Sequence, residues 1–123
     1  MRIKDVLQEL KKYKNQESVE RKTLMYYKDF GNGWLDLVIE LTEKLLQTEN
    51  GEAIKVLQIK EKFGGLRYYV SGATEEQYEI IKNYEDVISY SICERCGKEG
   101  KLRSDLGWIS TLCEEHYKEE NND

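Results

Sequence analysis

Proline is absent from this chain of 123 residues, histidine occurs once and cysteine three times. Phenylalanine, tryptophan and methionine occur twice each. No apolar run approaches the ~20 residues that span a bilayer, and the opening MRIKDVLQELKKYK lacks the uninterrupted apolar core of a secretory signal. Membrane insertion and secretion are therefore not expected. Positive charge is also short: the net charge is −5, which speaks against general polyanion binding. An odd number of cysteines leaves one over from any closed set of disulfides. The single histidine and the missing proline together exclude the H-x-E…P-C-x-x-C signature of zinc deaminases.

The length fits one domain, or one domain with a small appended module. With 39% hydrophobic and 35% charged residues, the core is modest and the surface heavily charged. Every cysteine and the histidine fall in one pattern: Cys93 and Cys96 as C-x2-C, sixteen residues, then Cys113 and His116 as C-x2-H. Zinc takes four such ligands at tetrahedral corners, and Cys3His is a common structural set. The alternative is two buried thiols, a surface thiol and an unrelated histidine.

Around those ligands, Gly97 suits a tight knuckle. Lys101 to Arg103 and Trp108 to Leu112 read as short strands about the turn residues Ser104, Asp105 and Gly107. Cys113-Glu-Glu-His116 opens a helix whose first acidic residues suit its dipole. Knuckle, hairpin and helix make a treble-clef-like module; a zinc ribbon is the close alternative. Four protein ligands close the shell, so the zinc is read as structural rather than catalytic. Nucleases of the HNH kind need a histidine to activate water, and here it is spent on the metal.

Elsewhere, Ile3, Val6, Leu7, Leu10 and Tyr13 form one helical stripe. Residues 16–22 read as a linker or exposed helix, and Leu24 to Phe30 as an apolar-aromatic strip. Gly31-Asn-Gly33 breaks the chain before a largely buried helix from Trp34 to Leu46. Thr74-Glu-Glu-Gln77 is a capping box opening a helix that runs to about Tyr90. The expected fold class is α+β, helices packed on a β-hairpin with the C-terminal zinc module. The expected division is a helical arm over 1–30, a core over 31–91, the zinc module over 92–119 and an acidic tail over 120–123.

The hairpin comprises Ile54 to Phe63 and Leu66 to Ser71 about a Gly64-Gly65 turn. That register sets Lys62 opposite Arg67, Glu61 opposite Tyr68 and Lys60 opposite Tyr69. One face then carries Ile59, Phe63, Leu66, Tyr68 and Val70 with Glu61 among them; the other carries Lys60, Lys62, Arg67 and Tyr69. Facing cations repel. Water, salt and nearby acids can relieve them, or a bound anion can. Glu61 either sits at a wet edge of the core or is buried with Tyr68 as the nearest donor.

Gly33-Trp34-Leu-Asp-Leu, Ile59-Lys-Glu-Lys-Phe-Gly-Gly-Leu-Arg-Tyr-Tyr-Val70, Cys93-Glu-x-Cys-Gly97 and Trp108-Ile-x-Thr-Leu-Cys113-x-x-His116 together resemble a family of small uncharacterised phage and prophage proteins. In that family a KEKFGGLR segment accompanies a C-terminal CxxC…TLCxxH zinc motif. The resemblance spans roughly residues 31–117 and carries no activity. It implies a bacterial host cytoplasm, which suits reduced, metal-bound thiols.

These readings point to a non-enzymatic zinc-stabilised binding protein that engages or inhibits a host factor, including a defence system, by analogy with other small phage proteins. The binding surface is the basic hairpin face or the aromatic strip. A second reading has Lys60, Lys62 and Arg67 hold a phosphate-bearing small molecule or nucleic acid, with Tyr69 stacking. A third is a small hydrolase using Glu61 with Lys60 or Tyr68.

Overall fold

The computed structural model describes residues 1–15 and 28–121, so the expected linker, most of the Leu24–Phe30 strip and residues 122 and 123 lie outside it. Among the described residues the chain is α+β, with four α-helices and two antiparallel hairpins. Helix α1 (Ile3–Lys14) buries Ile3, Val6 and Leu10, the stripe its periodicity announces. Helix α2 (Leu35–Leu46), entered through a 3₁₀ turn at Asn32–Trp34, buries Leu35, Leu37, Val38, Ile39, Leu41 and Leu45. These side chains share one core with Ile54, Val56, Ile59, Leu66, Tyr68 and Val70 of the first hairpin segment.

That hairpin is β1 (Lys55–Lys62) and β2 (Gly65–Ser71). Its register corrects the expectation. Lys62 faces Gly65, Lys60 faces Arg67, Glu61 faces Leu66 and Ile59 faces Tyr68. The turn residues are Phe63 and Gly64, both at positive φ (53° and 82°), as a type I′ turn requires. Phe63 therefore leaves the core face and is 64% exposed. Gly65 lies in β2 instead, where a Cβ would fall 2.3 Å from the Tyr90 hydroxyl and oblige that ring to shift. A bulge between Val56 and Gln58 leaves Leu57 unpaired. It lets Val56 and Ile59, three positions apart, both face inward.

The buried Tyr68 hydroxyl meets Thr42 Oγ1 at 2.8 Å, not Glu61. Glu61 is half-buried, and its Oε2 accepts the Gly64 N–H at 2.6 Å, closing the turn.

Helix α3 (Glu75–Asn83) opens on the expected capping box. The Gln77 N–H donates to Thr74 Oγ1 at 3.2 Å and the Thr74 N–H to Gln77 Oε1 at 2.8 Å. It continues as a π-helical turn (Tyr84–Ile88) and a 3₁₀ turn (Ser89–Ser91). This stretch runs beside the outer edge of β2. The Tyr68 N–H donates to Glu85 Oε2 at 2.6 Å and the Leu66 N–H to Ser89 Oγ at 3.1 Å. Burial pushes the Glu85 carboxyl up; the Tyr68 N–H and the nearby Arg67 charge favour its ionised form. Glu85→Ala leaves the Tyr68 amide without a partner and should cost about 1–3 kcal/mol. Glu85→Gln, which keeps an acceptor, should cost much less in a urea titration; equal losses would show that the bond is unimportant.

The second hairpin, β3 (Lys101–Arg103) and β4 (Ser110–Leu112), precedes helix α4 (Glu114–Glu120). Trp108 and Ile109 fall in the loop before β4 rather than in the strand.

Candidate metal centre

The ligand atoms of Cys93, Cys96, Cys113 and His116 all lie within 4.8 Å of one another. Cys93 and Cys96 come from a knuckle. Within it the Gly97 N–H donates to Cys93 O at 2.9 Å and the Cys93 N–H to Lys98 O at 2.7 Å. Gly97 sits at φ 81°, which suits glycine. Cys113 is the N-cap of α4, and its sulfur accepts the His116 N–H at 3.5 Å. One helical turn therefore supplies both remaining ligands.

The spacing suits a small tetrahedral ion. With metal–sulfur near 2.3 Å and metal–nitrogen near 2.0 Å, tetrahedral edges are about 3.8 Å for S···S and about 3.5 Å for S···N. Cys96 Sγ to Cys113 Sγ is 3.7 Å. His116 Nδ1 lies 3.6 Å from Cys93 Sγ and 3.3 Å from Cys113 Sγ. Burial pushes the Cys93 thiol up, but backbone N–H groups of Cys113, Cys96 and Arg95 outweigh it and hold it at about 6. Cys93 thus readily supplies a thiolate, the form that binds metal, while burial first, and then the neighbouring Cys93 and Cys113, push the Cys96 thiol up.

Arg103 ties hairpin to helix, a role that spacing alone does not reveal. Its Nε donates to Leu112 O at 3.3 Å, its Nη2 pairs with Glu114 at 3.2 Å, and its guanidinium stacks 4.2 Å from the Tyr117 ring centre.

The centre is seated against the main body. The Gly33 N–H donates to Glu94 O at 2.9 Å, and Trp34 Nε1 donates to Ile92 O at 2.8 Å. The Thr111 hydroxyl donates to Gly64 O at 2.7 Å. A Cβ on Gly33 would lie 2.2 Å from Cys93 O and 2.7 Å from Cys96 N. Glycine here gives the knuckle room to approach. The segments around Gly33, Gly64, Cys93 and Thr111, far apart in sequence, therefore converge in one place.

The basic residues are arranged differently from the expectation. Lys60, Lys62, Arg67 and Tyr69 still project from one face, because the altered register preserves the alternation. They border two separate grooves, however. Lys60 and Lys62 line one of about 610 Å³ with Glu61, Phe63, Gly107, Trp108 and Ile109. Arg67 and Tyr69 line another of about 380 Å³ with Tyr78, Lys82 and Glu85. Among the described residues, Lys60, Lys62 and Arg67 form no ion pair. Phe63 and Trp108 were not marked by the sequence as surface features, since a Phe-Gly-Gly run favours glycines at the turn.

No helix among the described residues is long and apolar enough to cross a membrane. Comparison with known proteins finds no matching family model, no curated relative and no similar solved structure.

Proposed function

We propose that this chain is a non-enzymatic binding protein of phage or prophage origin, stabilised by structural zinc in a treble-clef-like module. It engages a host protein in the bacterial cytoplasm, as small phage proteins that inhibit host factors, including defence systems, do. The observation that carries this reading is the four-donor cluster. Three sulfurs and an imidazole nitrogen lie within 4.8 Å of one another, with Cys96–Cys113, Cys93–His116 and Cys113–His116 near tetrahedral edge lengths, and four such donors would fill the shell of a structural zinc. When bound, the ion supplies cross-linking rather than Lewis-acid chemistry. Cys93 and Cys96 would hold it from the knuckle, Cys113 and His116 from α4.

The cationic hairpin face is the surface offered to the partner. Lys60 and Arg67 stand directly opposite each other and repel, a cost that the Glu85 carboxylate near Arg67 offsets only in part. Replacing Lys60, Lys62 and Arg67 by Gln, Gln and Thr should leave the melting temperature unchanged or slightly raised. The same change should abolish recovery of the host protein that the wild-type chain retains from a bacterial lysate. Freshly purified protein holding well under one zinc per chain, or identical recoveries by both proteins, would refute the reading.

The facing cations Lys60 and Arg67, which form no ion pair among the described residues, also favour a second reading, capture of a phosphate-bearing ligand. A nucleotide panel in a thermal-shift assay separates the two: stabilisation by phosphate-bearing compounds, lost on the triple replacement, selects the second.

A further inference from the structure

Phe63 is the residue that folding does not explain. It occupies the first central position of a type I′ turn at φ 53°, where Asn and Gly are favoured and a bulky side chain is an outlier. Its ring is 64% exposed, so it repays little of that strain by burial. Strain of this kind gathers where a protein binds or reacts. Across the groove stand Trp108 and Ile109, 48% and 38% exposed, on the loop between β3 and β4. Lys60 and Lys62 line the same groove, with Lys62 Nζ 5.8 Å from the Phe63 ring centre.

We propose that this groove, walled on one side by the β1–β2 turn and on the other by the metal module, receives an acidic extended segment of a partner protein. An apolar side chain of that segment lies between Phe63 and Trp108, and its carboxylates meet Lys60 and Lys62. The proposal rests on the binding-protein reading and names the partner's chemistry. Aromatic residues ringed by charge are the usual anchors of protein interfaces. A nucleic acid fits less well. Glu61 lies in the groove wall, and its carboxylate is held in place by the Gly64 N–H. A phosphate chain would bring a negative charge past it at every nucleotide, onto a protein of net charge −5. A peptide can set its acidic residues over the lysines and its apolar residue beside Glu61.

The groove is composite. The Thr111 hydroxyl bonded to Gly64 O fixes its two walls, and a Cβ at Gly64 would strike Leu102 Cδ1 at 2.6 Å. The shape of the groove therefore depends on the metal module staying seated.

The test is a display selection of short random peptides on the full-length, metal-loaded chain, followed by fluorescence anisotropy with the winning peptides. Enriched sequences should carry Asp or Glu around a Leu, Phe or Trp. Phe63→Asn should raise the melting temperature by about 3 °C, because Asn tolerates positive φ. It should weaken the winning peptide at least about tenfold. Trp108→Ala and the double change Lys60→Gln with Lys62→Gln should weaken it comparably, while Tyr78→Ala in the other groove should not.

Basic or charge-free winners, no enrichment, or full affinity in Phe63→Asn would overturn the proposal. So would oligothymidylate binding as tightly as the peptide, or self-association abolished by Phe63→Asn, which would assign the groove to nucleic acid or to a second copy. Zinc content is read on the same samples. Peptide binding by a folded chain without zinc would count against the zinc reading and leave the groove assigned.

Discussion

Chelation should unfold this protein well beyond its C-terminal module. A structural zinc site contributes roughly 10–16 kcal/mol of apparent binding energy at neutral pH. The net stability of an entire domain is only about 5–15 kcal/mol. Removing the ion therefore removes a term as large as the whole balance. The damage cannot stay local, because the knuckle is part of the wall on which α2 begins. Trp34 is fully buried and donates to Ile92 O, one residue before the first ligand. Loss of the knuckle also frees Gly33 from Glu94, and loss of the second hairpin frees Gly64 from Thr111. Tryptophan fluorescence checks this directly, since Trp34 is buried and Trp108 is half-exposed. Adding a zinc chelator should shift the emission to the red and lower the helical circular dichroism together. A chain that gives up its metal while keeping both signals and its melting temperature would show that the two parts fold independently.

Gly33→Ala should be among the most damaging single substitutions in the protein. The added methyl would fall 2.2 Å from Cys93 O, 2.6 Å from Glu94 C and 2.7 Å from Cys96 N. All three are backbone atoms, so no side chain can turn aside. Either the 3₁₀ turn before α2 or the metal knuckle must move. The expected loss is about 4 kcal/mol or more, the range reserved for core overpacking and broken networks. Zinc affinity should fall with it, because the displaced knuckle carries two ligands. Gly107→Ala is the control. Gly107 lies at φ 90° with nothing within 4 Å of the position its Cβ would take, so only backbone strain applies there. That substitution should cost about 1 kcal/mol and leave zinc affinity unchanged. Similar losses in denaturation and metal titration for the two variants would contradict the steric argument.

The four-donor cluster was legible because all of the chain's cysteine and histidine fall in it, at spacings one ion can collect. Helices α1 and α2 were legible because apolar periodicity is local. The first hairpin was half legible. Its faces follow from alternation, and between Gln58 and Lys62 alternation survives the difference between a Gly64-Gly65 turn and the observed Phe63-Gly64 turn, since each of these residues meets a partner two positions earlier on β2. The register itself did not follow. Glycine preference pointed to the two glycines, whereas Gly65 pairs with Lys62 and Phe63 takes the positive-φ position in the turn. Nothing local announces that a phenylalanine, and not the second glycine, takes that position. The same holds for Gly31 and Gly33. Their sequence signature is that of a break between helices, and their use as the floor beneath a metal knuckle is a long-range contact. Glu61 is a lone carboxylate on the expected apolar face, but its partner is the turn backbone rather than Tyr68.

The side chains of Glu85 and Ser89 have a consequence for how copies of this protein behave toward one another. A two-stranded sheet offers unpaired amides that another chain can adopt as a template. Here the outward amides of Leu66 and Tyr68 are already engaged by a carboxylate and a hydroxyl borrowed from a helix. They imitate a third strand without being one, and no further strand can extend from them. The π-helical turn and the 3₁₀ turn after it together close this edge of the sheet to a further strand.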